Sequence, residues 1–485
     1  MSMDSMKMIQ RKNADGYLTV FLTLILSVML SLCLLLVLGA RENTRRMEIE
    51  CVTDIGMNNI LAEYHRELLQ QYDLFFIDTS YGTANASYNR TAEHLRKYIA
   101  YNLGDEEIFL PVLYRNLLKL QVGEVEITAV SGAADDGGAV LRRQAVDIMS
   151  QRVGIAYLEQ VQNWVNVTQE YKLDTRDVLQ ERKEAFKQLE EWDEYLESEK
   201  ETNDLGNGVV SIWEMGVLSF VIKEPDKLST CKINSQQYLS SRQLLEGTGM
   251  NPVLIFQDNF WEQLIFNEYI LAYTGHYNQE KKDGLLAYQT EYILSGKSAD
   301  LDNLKSVVYK LLGIRAAANL IHLLSSEEKC MMAETMAAIM AALLAVPEAE
   351  PILTGILILT WAMAESLYDV SVLLKGGRVP LLKTERDWYY SLEAIFNFCG
   401  IAEEKEEKSG LSYKDYLRVM LALQDKKTTT YRLMDIMEMD IRKTSGNENF
   451  RMDGCIDSLT ASVSYQGADK KSYSIVRSYG CLFYM

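Results

Sequence analysis

The chain has 485 residues, of which 48% are hydrophobic and 24% are charged, a composition typical of a globular protein with two or three domains. Its formal net charge of −19 argues against nucleic-acid binding and against a polybasic contact with a membrane surface, because both need a basic face. Only six prolines are present, which favours helix because proline breaks helix interiors.

The first strong signal is an uncharged apolar run from Tyr17 to Ala40. At 1.5 Å per residue it spans roughly 36 Å, enough to cross a bilayer with some tilt. It predicts a cytoplasmic leader at 1–16 and a transmembrane helix at 17–40. The run is longer than the apolar core of a usual signal peptide, although a cleaved signal peptide ending near Ala40 is the alternative. The anchor residues that we single out are Tyr17, Phe21, Ser27, Ser31, Gly39 and Ala40.

Basic residues are nearly equal in number on the two flanks of this helix, so they do not indicate its orientation. The lengths of the two segments that it joins do indicate it. A short leader is easily left inside while a long acidic domain is exported. We therefore expect a single-pass protein of the cell membrane, with its N-terminus in the cytoplasm and its C-terminal domain outside. Ser27, Ser31 and Gly39 fall roughly on one face and would permit close helix packing, or they are ordinary membrane-helix residues.

Apolar residues continue at spacings of three and four after Arg41, from Ile49 to Tyr72. They predict that the same helix continues outside the membrane as a stem and ends near Tyr72–Asp73. Residues 41–78 form this predicted continuation. Its signature residues are Glu63, Tyr64, Leu68, Tyr72, Phe75 and Asp78.

The first part of the ectodomain is predicted at 79–200. It has a strand at 121–130, a turn at 135–138, and a helical hairpin at 139–200 that is broken near Thr168–Asp174. A linker is expected at 201–215. The alternation of apolar residues predicts C-terminal strands at 446–485, which we expect to pair with the strand 121–130.

The helical core is predicted at 216–445, with a short extended segment at 216–222 and consecutive amphipathic helices from Asn259. Residues 331–374 are the most apolar part outside the stem, and they form either a buried helical hairpin or a membrane hairpin. Glu365 and Asp369 favour the buried form, because charge in lipid is costly. The predicted fold class is thus α+β and mostly α: a pilin-like transmembrane helix that continues into a helical ectodomain with a small antiparallel sheet.

No catalytic, cofactor-binding or metal-binding set is indicated. The four histidines form no HExxH motif, and the six cysteines outside the apolar run are scattered, so disulfides and free thiols both stay open. Ser326 and Lys329 fit Ser-x-x-Lys, but a helix N-cap explains them better. We expect no enzyme and no cofactor. An enzyme would need converging carboxylates, for which Glu365, Asp369 and Asp387 are the candidates.

The opening GYLTVFLTLILSVMLSLCLLLVLGARENTRR resembles TadE- and TadG-like proteins of the Tad/Flp tight-adherence pilus system. The whole chain resembles an uncharacterised clostridial family, domain of unknown function 5702, which is often associated with such loci. The matching stretches are TVFLTLIL, AEYHRELLQQYDLFFID, LLAYQTEYILSGKSADLDNLK and WAMAESLYDVSVLLKGGRVPLLK. Many type IV pilins and TadE-like proteins have a glutamate five residues into the apolar segment, whereas the fifth residue after Gly16 here is Phe21.

This resemblance implies an accessory or minor-pilin-like component of a Tad/Flp-type pilus or secretion apparatus, with protein partners in that assembly. It carries no catalytic meaning. The alternative is a membrane-anchored module of the cell envelope that binds or senses a ligand. No nucleic-acid partner is expected in either case.

Overall fold

A single helix, α1 (Met3–Leu61), contains the apolar run and continues past it. The computed structural model to which it belongs describes residues 3–104, 118–193, 207–215, 218, 228–245, 259–396 and 409–480. The chain is mainly helical with a small antiparallel sheet, which confirms the predicted fold class.

The predicted end of the stem helix near Tyr72 is wrong. The helix stops at Leu61, and a second helix, α2 (Arg66–Tyr72), begins after a short break. In the break, Tyr64 forms a β-bridge with Ile77, and the backbone amide of His65 donates to the carbonyl of Phe76 at 2.8 Å. This pairing draws the backbone out of the helix.

The next elements are β1 (Ile77–Asp78), α3 (Tyr88–Leu103), β2 (Leu120–Gly132), α4 (Asp135–Ser150), α5 (Ile155–Glu170) and α6 (Val178–Asp193). β2 contains the predicted strand 121–130. The region predicted as a two-helix hairpin has three helices instead, since the chain also turns between Ser150 and Ile155. The predicted turn at 135–138 shows as positive φ angles at Asp136, Gly137 and Gly138.

The helical core contains α7 (Asn207–Met215), α8 (Phe260–Tyr273), α9 (Gln289–Ser295), α10 (Asp300–Ser325), α11 (Glu327–Leu343) and α12 (Glu350–Leu374). α7 occupies the second half of the predicted linker. A capping box between Asn259 and Glu262 starts α8, and Ser326 caps α11 as predicted by accepting a hydrogen bond from the Lys329 amide.

Among the residues that the structure describes, three helical segments are long and apolar enough to cross a membrane: Tyr17–Leu61, Asp300–Ser325 and Pro347–Leu374. The most apolar window of Pro347–Leu374 is entirely buried inside the protein, and that of Asp300–Ser325 is 67% buried. The most apolar window of Tyr17–Leu61 is not buried at all. α12 is therefore buried, as its two acidic residues indicated, whereas α11 buries only one side, so the predicted buried hairpin is confirmed for its second arm.

The chain closes with β3 (Arg378–Val379), β4 (Leu411–Ser412), α13 (Tyr413–Leu423), α14 (Lys426–Arg442), β5 (Cys455–Gly467) and β6 (Ser472–Gly480). β5 is the central strand of the main sheet. Antiparallel β2 pairs along one edge, with Val130 opposite Leu459, while β6 and then β1 pair along the other. The predicted pairing with 121–130 is thus confirmed for β5, whereas β6 pairs with β5 instead.

Within the described residues, this arrangement gives two large hydrophobic cores and a small third cluster between α5, α8 and α13. The larger core fills the helical part and is centred on α10 and α12. The smaller core lies between the sheet, α3 and the polar half of α1. Its buried members include Ile49, Val52, Met57, Ile60, Leu95, Ile99, Leu459, Ala461 and Val463. The stem is therefore built into the folded domain that follows it.

Parts of several predicted features lie outside the described residues. They are the end of the helical hairpin at 194–200, the first part of the linker at 201–206, the extended segment at 216–222 except Leu218, and the last residues of the C-terminal region at 481–485.

Candidate functional site

The predicted membrane anchor is the most exposed part of the described chain. Every residue from 17 to 40 is solvent-exposed, including Tyr17 at 79% and Phe21 at 60%. The apolar window of this helix has a mean hydropathy of 2.9. Because water does not favour such a surface, the helix indicates a membrane anchor.

The small residues of the anchor are exposed, and they share their side of the helix with bulky side chains such as that of Leu38. The hydroxyls of Ser27 and Ser31 each donate to the carbonyl three residues earlier, at 2.8 Å, so their hydrogen bonds stay within the helix. No atom of the described chain lies within 4 Å of the position that a Cβ on Gly39 would take. Ala40 beside it is exposed as well. These residues are free to face lipid or another helix.

Just beyond the anchor, polar contacts hold the stem against the hairpin of β5 and β6. The Arg45 side chain is buried, and its Nη1 lies 2.6 Å from Oδ2 of Asp469. The Thr53 hydroxyl donates to the Ile49 carbonyl, so the buried Tyr465 hydroxyl is the donor in the 2.6 Å bond between Thr53 and Tyr465. The hydrogen bond from Arg45 also lowers the pKa of Asp469.

The stem signature residue Glu63 lies in the helix break and joins side chains from two other segments. Its carboxylate accepts hydrogen bonds from the hydroxyls of Tyr98 at 2.7 Å and Tyr81 at 3.0 Å, and it lies 3.0 Å from His94 Nδ1. The bond to Glu63 is the main reason that the pKa of Tyr98 rises to about 12. Glu63 thus ties the end of the stem to α3.

The other signature residues serve packing and local hydrogen bonding. Leu68 and Tyr72 are fully buried in the larger core, where the Tyr72 hydroxyl donates to Asp440 at 2.8 Å. Tyr64 packs edge-on against Phe75 with ring centroids 5.6 Å apart. Asp78 caps the following turn by accepting bonds from the backbone and hydroxyl of Ser80.

A buried charge cluster lies between α10 and α12. We use this name for Arg315, Glu365, Asp369 and Lys383, whose side chains are fully buried. Arg315 donates to Oδ2 of Asp369 from Nε at 3.0 Å and from Nη2 at 2.9 Å. Lys383 bridges the carboxylates, pairing with Glu365 and lying 2.5 Å from Oδ1 of Asp369.

The electrostatics of the buried charge cluster explain how charge is tolerated there. Burial opposes ionisation of Asp369, but the charges of Arg315 and Lys383 hold its pKa below the usual value. Glu365 also accepts bonds from the backbone amides of Tyr389 and Tyr390 at 3.0 and 2.9 Å. With two anions and two cations, the four charges balance and fix the segment after α12 onto the core.

Of the three carboxylates proposed to converge, the structure brings together Glu365 and Asp369. Asp387 instead caps a short helical turn, where it accepts bonds from Thr384. Neither Lys383 nor Arg315 was predicted to take part. Arg315 is a single basic residue in an apolar part of α10, which indicates a buried ion pair, but nothing in the sequence identifies Asp369 as its partner.

Another buried carboxyl group, Glu291 on α9, was also missed. Its Oε1 accepts bonds from the Tyr277 amide and the Tyr413 hydroxyl, each at 2.8 Å, whereas no side chain among the described residues bonds to Oε2. Burial raises the pKa of Glu291 to about 7. Close to Tyr413 lies the ring of His276, whose pKa burial lowers to about 4. At neutral pH this histidine is uncharged.

One cavity of about 550 Å³ has the size of a small-molecule site. It lies between the start of α6, α7, α10 and the end of α13. Its walls are mostly apolar, with Lys310, Arg176 and Gln424 among the polar side chains. Arg176 is already bonded to Glu181 through two nitrogens.

No metal-binding group of three or more histidine, cysteine or acidic residues occurs among the described residues. Cys33, Cys51, Cys231, Cys330 and Cys455 are free thiols, while Cys399 and Cys481 lie outside the described ranges.

A family model described as a family of unknown function (DUF5702) matches residues 195–467, more than half of the chain. The match begins well after the stem and ends at the last residue of β5. The chain belongs to this family. Searches of curated proteins and of solved structures returned no match.

Proposed function

We propose that this member of the DUF5702 family is a non-enzymatic protein of the cell envelope, an accessory or minor-pilin-like component of a Tad/Flp-type pilus or secretion apparatus. The anchor would hold it in the cell membrane, with the N-terminus in the cytoplasm and the ectodomain outside. Neighbouring membrane helices and proteins of the apparatus would be its partners.

The observation that carries this proposal is the continuity of α1. One helix contains both the apolar anchor and the buried residues Ile49, Val52 and Ile60 of the sheet core. A movement of the anchor is therefore transmitted to the ectodomain without a flexible joint between them. This property suits a subunit that packs in the membrane and presents a domain outside it.

The contacts at the junction support a stiff connection. Arg45 with Asp469 and Thr53 with Tyr465 join the stem to the hairpin of β5 and β6. Arg477 of β6 adds a bond to Asp54 at 3.3 Å. Because buried or partly buried polar contacts are directional, they fix the rotation of the stem about its own axis.

We propose that the protein is not an enzyme because the carboxylates of its buried charge cluster are paired with cations. In the buried charge cluster each carboxylate is held by a cation, so neither Glu365 nor Asp369 is available as a free base. Phe21 replaces the glutamate of many pilins, which favours a permanently anchored accessory subunit over a processed shaft subunit.

The test is an affinity pull-down of the full-length protein from native membranes, with its N-terminus read by mass spectrometry. We expect an intact N-terminus together with pilus-machine subunits. Cleavage after Gly16 would contradict permanent anchoring, and cleavage near Ala40 without partners would refute the anchored role.

A matched pair of variants tests whether the anchor packs against other helices. Changing Ser27 and Ser31 to leucine adds bulk where a partner helix would approach closely and should reduce recovery of partners. Cys33→Leu adds similar bulk on a different face and should not. Equal recovery from both variants would show that this face makes no partner contact.

The alternative function, a membrane-anchored module that binds or senses a ligand, is favoured by the 550 Å³ cavity. Trp213 lies in its wall and offers a fluorescence probe. A rise in melting temperature with one small molecule of a screened panel, lost on changing Gly313 in the wall to a bulky residue, would support this alternative.

A further inference from the structure

Helix α11 has an apolar surface on the side away from the core. Its inner side is formed by small buried residues such as Ala333, Ala337 and Ala341, which allow close packing against α12. We call the opposite side the α11 outer face. Its large side chains, with their exposed fractions, are Met331 (64%), Met332 (40%), Ile339 (53%) and Leu343 (77%).

The shape of the α11 outer face suits another helix. Met332, Ile339 and Leu343 recur at helical spacing and form a ridge. Beside the ridge lie the exposed small residues Ala338 and Ala342, which let a second backbone approach. At 1.5 Å per residue the 17-residue helix is roughly 25 Å long, enough to support several turns of a partner.

The charges around this face all have one sign. Between residues 326 and 350 the exposed charged residues are Glu327, Glu328, Glu334 and Glu348. The only cation in that range, Lys329, is buried and paired with Glu385. A second copy of this acidic chain or an anionic lipid surface would therefore meet like charge at the rim.

We propose that the α11 outer face binds an amphipathic helix of a partner protein, one whose apolar stripe is flanked by lysine and arginine. The apolar stripe covers the ridge of Met332, Ile339 and Leu343, and the basic flanks pair with the glutamates. The flexible methionine side chains adapt to the shape of the partner. This binding surface does not depend on the pilus assignment.

The probe for this proposal is a synthetic 18-residue amphipathic helix made of leucine and lysine. Its binding is measured by fluorescence anisotropy to the full-length protein in phosphatidylcholine nanodiscs, with empty nanodiscs subtracted. The double variant Ile339→Gln/Leu343→Gln should weaken binding at least tenfold. The control Ile155→Gln changes an equally exposed apolar residue on α5, which is 72% exposed, and should leave binding unchanged.

The acidic rim is tested separately. The variant Glu328→Gln/Glu334→Gln should weaken binding several-fold and reduce its dependence on salt, because fewer ion pairs form. A leucine–glutamate peptide of the same pattern should bind far more weakly than the leucine–lysine peptide. All variants change exposed side chains, and unchanged melting temperatures would show that they are folded.

Three results would overturn the proposal. The first is equal binding by the wild type and the Ile339→Gln/Leu343→Gln variant. The second is dimerisation of the wild type that this variant abolishes, which would assign the face to a second copy. The third is binding to zwitterionic vesicles, again abolished by the variant, which would assign the face to lipid.

Discussion

Replacing Glu291 by glutamine should stabilise the protein at pH 8 and have a much smaller effect at pH 5. Glu291 is fully buried, and its Oε1 accepts hydrogen bonds from the Tyr277 amide and the Tyr413 hydroxyl. Burial raises its pKa to about 7. Above that pH the folded protein must hold a buried negative charge to which no cation of the described chain is bonded.

The sign and size of this effect follow from the two pKa values. In the unfolded chain Glu291 ionises with its ordinary pKa of 4.5. Between pH 4.5 and about 7 the folded state keeps a proton that the unfolded state has released, so the free energy of unfolding falls as pH rises. A shift of about 2.5 pKa units corresponds to roughly 3 kcal/mol. Glutamine keeps an accepting oxygen and never ionises, so it avoids this loss.

The assay is urea unfolding of the full-length protein in nanodiscs at pH 5 and pH 8, followed by tryptophan fluorescence. Glu291→Gln should raise the free energy of unfolding by about 3 kcal/mol at pH 8 and by about 1 kcal/mol or less at pH 5. The exposed Glu348→Gln is the control and should change neither value. The reasoning would be refuted if Glu291→Gln gave the same change at both pH values, because the effect would then not come from ionisation.

Three further changes test the packing in urea unfolding or thermal melts. Lys383→Met leaves the two carboxylates of the buried charge cluster short of a cation and should lower the free energy of unfolding by about 3–5 kcal/mol. Adding Glu365→Gln should partly restore it, and an unchanged free energy of unfolding in Lys383→Met would mean that the ion pair contributes nothing. Gly138→Ala should cost about 2 kcal/mol or more, because φ is +83° and the new Cβ would lie 2.5 Å from Thr430; a neutral result would contradict that geometry. Ser326→Ala removes the cap of α11 and should cost about 1 kcal/mol, whereas Ser326→Asp should not.

The sequence predicted those features that depend on a local pattern of residues or on a strongly apolar local composition. The alternation of apolar residues in the C-terminal region identified two strands, of which β5 pairs with β2. Acidic residues in an apolar stretch indicated that α12 is buried in protein. In the structure the carboxylate of Asp369 pairs there with the cations Arg315 and Lys383. In each case the information lay in neighbouring residues, so no tertiary contact was needed to interpret it.

The sequence did not predict features that arise from distant contacts. The break after Leu61 contains no proline or glycine, and the apolar spacing continues through it to Leu68. What ends the helix is pairing of Tyr64 with Ile77, which only the folded chain provides. The choice of Lys383 as the bridge between Glu365 and Asp369 likewise depends on how the chain after α12 folds back.

The position of β5 in the sheet has a consequence for how the protein is made. β5 supplies the central strand, yet the bonded residues Glu124 and Ser464 are 340 positions apart in the chain. During synthesis the anchor and β2 therefore emerge long before their common partner strand does. Until then β2 has an open edge that other chains can pair with, so chaperones that cover strand edges should matter more for this protein than its final stability suggests.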